Sequence, residues 1–295
     1  MNESLRVAVT GGSGRVGKFV VRRLLDHGHQ VTNLDRRPGD DQRARFVFCD
    51  VRSRETVARV LAECDAVCHL ADIANVRVGP SLDEVYWSNA RSGGVILQTA
   101  ADLRLRRAIY TSTCQVYGFF DQGRVPPVKM PVDETHPTFP SNAYAISKIA
   151  NEAYAQMTSR LQNLPITIFR LPWVMISEPN DKRLAELETQ DGPIDDGLAT
   201  FVYVEDAARA YVAALESDRS GCEIFNIVAD DGMSVAPIAQ RLARRHPDFP
   251  QLPGDWPSHK SPIINEKAKT QLNWRPQWSF VEFFRRRLGR DPGVK

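Results

Sequence analysis

The chain has no unbroken apolar run of the roughly 18 residues that a bilayer-spanning helix needs. Met1-Asn2-Glu3-Ser4 leads into a strand-like stretch and not into a signal peptide, so a cytoplasmic location is expected. Charge of either sign is scarcely in excess: 38 Lys and Arg against 36 Asp and Glu leave +2, which argues for no nucleic acid and no membrane surface as partner. No internal repeat or low-complexity tract interrupts the chain. Cysteine is sparse. Cys49, Cys64, Cys68, Cys114 and Cys222 are odd in number and widely spread, and reduced packing residues are the default reading. Cys64 and Cys68 lack the spacing of a Cys-x-x-Cys motif and no His/Cys pair accompanies them, so no metal site is expected. His69, at a strand end, reads as a satisfied core histidine whose best functional claim is backbone contact with a cofactor.

What is present is a 295-residue chain with 42% hydrophobic residues, enough to bury a sizeable core as one large domain or as a nucleotide domain with a smaller cap. Residues 5–9 read as a short buried strand, and residues 18–27 carry apolar side chains at helical spacing. Between them stands Thr10-Gly11-Gly12-Ser13-Gly14-Arg15-Val16-Gly17. In a dinucleotide-binding turn Gly11 allows the tight bend, Gly14 lets backbone approach pyrophosphate, and Gly17 lets helix pack on strand. Arg15 and Val16 then lie at the helix N-terminus that faces the phosphates. A second strand over 30–34 ends at Asp35, about the ~20 residues on at which a carboxylate accepts ribose hydroxyls, which favours NAD over NADP. Arg36 and Arg37 follow, where they either hold a 2′-phosphate or form a solvated turn. A third strand over 44–49 delivers Asp50, placed to accept from an adenine amino group with Val51 beside the ring, or equally to cap a helix starting near Arg52.

Downstream, Tyr144-Ala145-Ile146-Ser147-Lys148 follows Pro140-Ser141-Asn142, which reads as a helix start. Four residues apart on a helix, the phenol and the ammonium share a face. A free tyrosine titrates near ~10, and a cation held close favours phenolate, so Tyr144 could exchange a proton with a substrate hydroxyl. A Tyr-x-x-x-Lys spacing also occurs on ordinary surface helices; its context in this chain is what gives it meaning. Strands and helices alternate to about residue 174, the pattern of a parallel sheet with crossovers, and further helices are expected over 52–63, 81–102, 143–161 and 205–216. The proline- and glycine-rich connections 118–140 and 248–262 are expected to shape the substrate side.

In these motifs the chain resembles the extended short-chain dehydrogenase/reductases of the NAD-dependent epimerase/dehydratase family. Besides the glycine turn, His69-Leu70-Ala71 resembles the segment lying along the cofactor diphosphate and ribose. Tyr110-Thr111-Ser112-Thr113-Cys114-Gln115-Val116-Tyr117-Gly118 resembles the strand and turn that carry the catalytic serine or threonine. Register against Val116-Tyr117-Gly118 selects Thr113, with Ser112 a possible substitute. Arg170-Leu171-Pro172-Trp173-Val174 resembles the strand end beside the nicotinamide, which implicates Pro172, and 272–276 resembles the C-terminal signature. Asn89 resembles a family cofactor contact, although Ser92 stands where the family usually has glycine, with Gly93 next.

The resemblance implies an α/β fold: a Rossmann-type doubly wound parallel sheet over 1–174, with 201–228 returning to it, and a small C-terminal substrate-binding lobe from 175–200 and 229–295. It implies NAD as cofactor, a carbohydrate substrate, a homodimer built on the helix over 81–102 and the Tyr144 helix, and catalysis by Thr113, Tyr144 and Lys148. Lys148 also binds the nicotinamide ribose in this scheme. Three functions stay open: a sugar or sugar-nucleotide epimerase or dehydratase, a net dehydrogenase of a free sugar, sugar acid or polyol, and a non-catalytic dinucleotide sensor. Sugar-nucleotide members often carry an asparagine after the Arg170 strand and an arginine before the strand at Phe201; Leu171-Pro172-Trp173 and Gly197-Leu198-Ala199-Thr200 offer neither. Asp191, Asp195 and Asp196 add negative charge where a diphosphate prefers cations.

Overall fold

A computed structural model describes residues 3–74, 81–119, 124–176 and 197–288 of the chain. Strand and helix alternate through β1 (Arg6–Thr10), α1 (Gly17–Asp26), β2 (Gln30–Asp35), β3 (Arg45–Phe48), α2 (Arg54–Leu61), β4 (Ala66–His69), α3 (Leu82–Asp102) and β5 (Arg107–Thr113). After these come α4 (Ala143–Gln162), β6 (Ile166–Leu171), β7 (Trp173–Met175), β8 (Phe201–Tyr203) and β9 (Cys222–Asn226). Every residue of β4 and β6 is buried, as in central strands covered on both faces. α1 buries only Gly17, Val20, Val21 and Leu24, which form the single apolar face that packs on a sheet.

Seven strands form one sheet in the order β3-β2-β1-β4-β5-β6-β9. The pairs β1–β2, β1–β4, β2–β3 and β4–β5 are all parallel. This is the doubly wound Rossmann arrangement. The winding reverses between β1 and β4, and in such sheets a ligand binds outside the carboxyl ends of the strands at that point. Those ends are Thr10 and His69, which are partners in register.

The chain forms two compact units. The first comprises Met1–Thr113, Asn142–Arg170 and Ala208–Phe225, and the second Cys114–Ser141, Leu171–Ala207 and Asn226–Lys295. The core of the first includes Ala8, Leu34, Val67, Ile96 and Ile168. The second is built on the parallel β7–β8 pair and a core of Met175, Phe201, Ala229, Met233 and Phe280. Residues 114–141, expected with the nucleotide-binding part, cluster with the second unit because their backbone bonds lead there. Val132 N donates to Pro262 O at 2.8 Å, and Ile264 N donates to Val132 O at 2.9 Å. The last described helix, Phe280–Leu288, buries Phe280 fully and exposes Arg285. Cys49, Cys64, Cys68 and Cys114 are buried and Cys222 is half-buried, none of them in a disulfide. Among the described residues no helix is long and apolar enough to cross a membrane.

Candidate active site

At the sheet reversal the glycine turn is packed against the segment that follows β4. Gly11 has φ +69°, and a Cβ placed on it would lie 2.8 Å from the backbone of Ala71, so only glycine fits. A Cβ on Gly17 would meet Gly11 O at 2.0 Å, which sets how closely α1 approaches the turn. Thr10 ties the two segments together: its Oγ1 accepts from Leu70 N at 3.2 Å and Ala71 N at 3.3 Å. With those lone pairs engaged, the Thr10 hydroxyl proton points to His69 Nδ1, 2.7 Å away, which assigns the imidazole proton to Nε2. Burial, then the charge of Lys148, lowers the His69 pKa to about 3, so the ring is neutral.

Asp35 ends β2 beside the turn. Its Oδ2 accepts from Ser13 N at 3.1 Å, and its Oδ1 accepts from Arg36 N at 2.7 Å and Arg37 N at 3.3 Å. The backbone therefore aims this carboxylate at the glycine turn. Arg15 and Arg36 are exposed, while Gly14, Val16, Leu70 and Ala71 are half-buried along the same edge. Asp50 does not cap α2. The helix starts two residues later than Arg52, at Arg54 after Ser53, and the Asp50 carboxylate is taken by Arg52 through its backbone N at 3.0 Å and guanidinium Nη2 at 2.6 Å. The Arg52 hydrogen bond lowers the Asp50 pKa to about 2. Val51, half-buried, packs on the core of the first unit. Pro172 lies between β6 and β7 and belongs to the second unit.

Asn142 caps α4 by accepting from Ala145 N at 2.8 Å, which places Tyr144 and Lys148 on the buried side of the first two turns. Thr113, at the end of β5, lies close enough to the Tyr144 phenol to favour its ionised form. Ser112 points elsewhere: its Oγ donates to Glu152 Oε1 at 2.5 Å, inside a buried network in which Arg170 Nη2 donates to Glu152 Oε2 at 2.7 Å. Lys148 Nζ lies 5.4 Å from the Tyr144 ring centre and 4.9 Å from that of Tyr110, and donates to Thr111 O at 2.7 Å.

Three residues of this site escaped the sequence reading. Asp72 pairs with Lys148 through Oδ2, both side chains being almost wholly buried. Its signal was its place directly after His69-Leu70-Ala71, but the partner lies 76 residues away. Glu152, four residues beyond Lys148 and so on the same helical face, was legible by the spacing that identified the Tyr/Lys pair. Asn151 donates through Nδ2 to Asn89 O at 2.9 Å and to Tyr110 Oη at 3.0 Å. Gly93 is needed for that contact, since a Cβ there would stand 2.2 Å from the Asn151 amide. Asn89 itself directs its side chain to the backbone of Ile73, accepting from its N at 2.9 Å and donating to its O at 3.1 Å.

Asp72 also changes the electrostatics expected of the pair. The phenol of Tyr144 is pushed up by burial, and further by the charge of Asp72 and by Tyr211, against the opposing influence of Thr113. Lys148 is pulled down by burial, with Asp72 opposing the shift, and Asp72 is pushed up by burial against the pull of Lys148. The lysine charge is thus compensated by a carboxylate instead of acting on the phenol alone.

A reversal-point glycine turn, an acid at the end of β2 and a buried Tyr/Lys pair define a dinucleotide-dependent α/β enzyme. The chain belongs to the NAD dependent epimerase/dehydratase family, whose model matches residues 7–228. It is 28% identical to the UDP-glucose 4-epimerase of Corynebacterium glutamicum over 311 aligned positions, covering 92% of this chain and 91% of that one. Among solved structures it is similar to the UDP-glucose 4-epimerase of Thermotoga maritima with UDP-glucose (TM-score 0.69, 25% identity, 96% of this chain and 99% of that one). It is also similar to the Thermus thermophilus UDP-glucose 4-epimerase complex with NAD (TM-score 0.67, 25% identity, 93% and 95%). The residues present fit NAD. Gly11 lets the turn pack directly on the backbone of Leu70 and Ala71, α1 starts with no side-chain cap and no acid in its first turn, and one buried oxygen of Asp72 has no partner among the described residues.

Proposed function

We propose that this family member acts on a nucleotide sugar as an epimerase or dehydratase, with Tyr144, Thr113 and Lys148 as its catalytic set. NAD, when bound, supplies the hydride acceptor and donor. Tyr144 takes the proton of the substrate hydroxyl and returns it, Thr113 hydrogen-bonds the same oxygen, and Lys148 binds the nicotinamide ribose. The observation that carries this reading is the buried phenol of Tyr144 with Thr113 close enough to favour its ionisation and the Lys148 ammonium 5.4 Å from the ring centre. Gly11, Gly14, Arg15, Val16 and Gly17 take the diphosphate; Asp35 and Arg36 take the adenine ribose; Asp50 and Val51 take the adenine. Leu70, Ala71 and Pro172 complete the cofactor contacts, while Asn89, expected among them, is turned away from the cofactor by its two side-chain bonds to the Ile73 backbone, and the second unit supplies the substrate lobe. UDP-sugars are the first candidates, since the similar epimerases carry that substrate in their names.

A free sugar or sugar acid is the second reading. It is favoured by the absence of asparagine in Leu171-Pro172-Trp173 and of arginine in Gly197-Leu198-Ala199-Thr200, the positions at which sugar-nucleotide members of the family often carry them. Incubation with NAD and a panel of nucleotide sugars, free sugars and sugar acids separates the two. Absorbance at the NADH band and chromatography of the sugar are followed together. An altered nucleotide sugar without NADH supports the first reading; accumulating NADH with a free sugar or sugar acid replaces it with the second. NAD binding without any turnover would turn attention to a sensor role.

A homodimer through α3 and α4 accompanies this reading. It is supported by exposed apolar side chains on both helices: Trp87 is 66% exposed on α3, and Leu161 is 66% exposed on α4. A cytoplasmic location is supported by five cysteines held outside disulfides and tested by cell fractionation.

A further inference from the structure

Asp72 is built into the site with unusual care for a loop residue. On one side the preceding residue, Ala71, is held by the Thr10 hydroxyl through its backbone N at 3.3 Å. On the other the following residue, Ile73, is held through both its N and its O by the side chain of Asn89. Asn89 is in turn fixed from α4, where Asn151 donates to its carbonyl at 2.9 Å. Between these anchors the Asp72 side chain, 7% exposed, turns inward to Lys148. Only Oδ2 meets the ammonium; Oδ1 is buried and has no partner among the described residues. A buried carboxylate oxygen without a donor costs free energy, and a site that retains one is built to receive a donor from elsewhere. The lysine beside it is the residue that binds the nicotinamide ribose in the function proposed above, and a ribose presents hydroxyl donors.

We propose that Asp72 is a cofactor-positioning residue: through Oδ2 it holds Lys148, and through Oδ1 it accepts from a hydroxyl of the ribose that Lys148 binds. The vicinal diol is then gripped from both sides, with Lys148 donating to it and Asp72 accepting from it. A cation alone supplies only donors and leaves the hydroxyl protons unplaced; the pair fixes their direction and so orients the ring attached to that ribose. Ordinary aliphatic residues after Ala71 would leave Lys148 held only by Thr111 O and its ring contacts.

This rests on the assignment of Lys148 to the ribose, and the test separates the two claims. Dissociation constants are measured by calorimetry for NAD and for ADP, which lacks the second ribose, on the wild-type protein and on Asp72→Ala, Asp72→Asn and Lys148→Ala. Asp72→Ala is expected to weaken NAD by about 10-fold to 100-fold, the range for a hydrogen bond to a charged group, and to leave ADP within about twofold. Asp72→Asn keeps the shape and an oxygen acceptor and is expected to recover part of the loss; it also serves if the alanine variant does not fold. An equal loss for NAD and ADP would mean a general structural role, and unchanged or tighter NAD binding would mean the carboxylate merely stands where the ribose goes. Either result overturns the proposal. If Lys148→Ala binds NAD like the wild type, the lysine assignment itself fails, whatever Asp72 does.

Discussion

Tyr144 meets two opposing influences: burial, reinforced by the charge of Asp72, which raises its pKa, and Thr113, which lowers it. In the folded chain burial prevails and holds Tyr144 as the neutral phenol, so its own proton must first leave, with Thr113 favouring the phenolate, before Tyr144 takes one from a substrate hydroxyl. Replacement Tyr144→Phe removes the proton carrier and leaves the ring packing. Turnover is expected to fall by about 10²- to 10⁴-fold while NAD binds as before, and steady-state kinetics with a binding isotherm check both halves. His69 offers a pH prediction of fixed sign. Its folded pKa is lowered from 6.5 to about 3, so as pH falls below 6.5 the unfolded chain takes up a proton that the folded chain refuses. Stability from this group is complete above that pH and declines by about 1.4 kcal/mol per unit as pH drops toward the folded value. The stability advantage of the wild type over His69→Gln should shrink by about 2 kcal/mol between pH 7 and pH 5 in urea titrations. A pH-independent difference would show that the buried ring titrates as it does in the unfolded chain.

Helix α4 carries Tyr144, Lys148, Asn151 and Glu152 on its buried side, so its N-terminal cap governs the placement of the whole set. Asn142→Ala removes the bond to Ala145 N and is expected to cost about 1 kcal/mol, read as a lower urea midpoint, together with a fall in turnover larger than that of an equally destabilising change elsewhere. This element was legible in the sequence, because a cap residue and an i,i+4 pair are local signals. So were the glycine turn, the strand end Asp35 and Asp50 just beyond β3, where spacing along one chain segment carries the information. What escaped was non-local. Asp72 is defined by a lysine 76 residues on and Asn151 by the carbonyl of Asn89, 62 residues back, and no periodicity within one element reports such pairs. The start of α2 shifted from the expected position for a local reason. Arg52 bends back to take the Asp50 carboxylate, which removes it from the helix and passes the N-cap position to Ser53.

At the scale of the molecule, α3 and α4 pack against each other within the first unit and still leave large apolar side chains to solvent. On α4, Ile146, Met157 and Leu161 are 45%, 36% and 66% exposed and fall along one stripe at helical spacing. Trp87 on α3 adds an aromatic side chain of the kind that anchors interfaces. Leaving such a stripe in water forfeits roughly 25 cal/mol for each Å² of apolar surface that a partner would cover. A second copy of the same face, related by a two-fold axis, covers each patch with an identical one and leaves no edge for further growth. The wild-type protein is therefore expected to sediment at twice the 33.1 kDa of the chain. Trp87→Glu and Leu161→Glu place a charge in the middle of the contact and should each shift it to the monomer mass without loss of NAD binding, since neither side chain belongs to the cofactor site. A wild-type protein that already sediments as a single chain at micromolar concentration would leave the apolar stripe of α4 without the two-fold partner assigned to it.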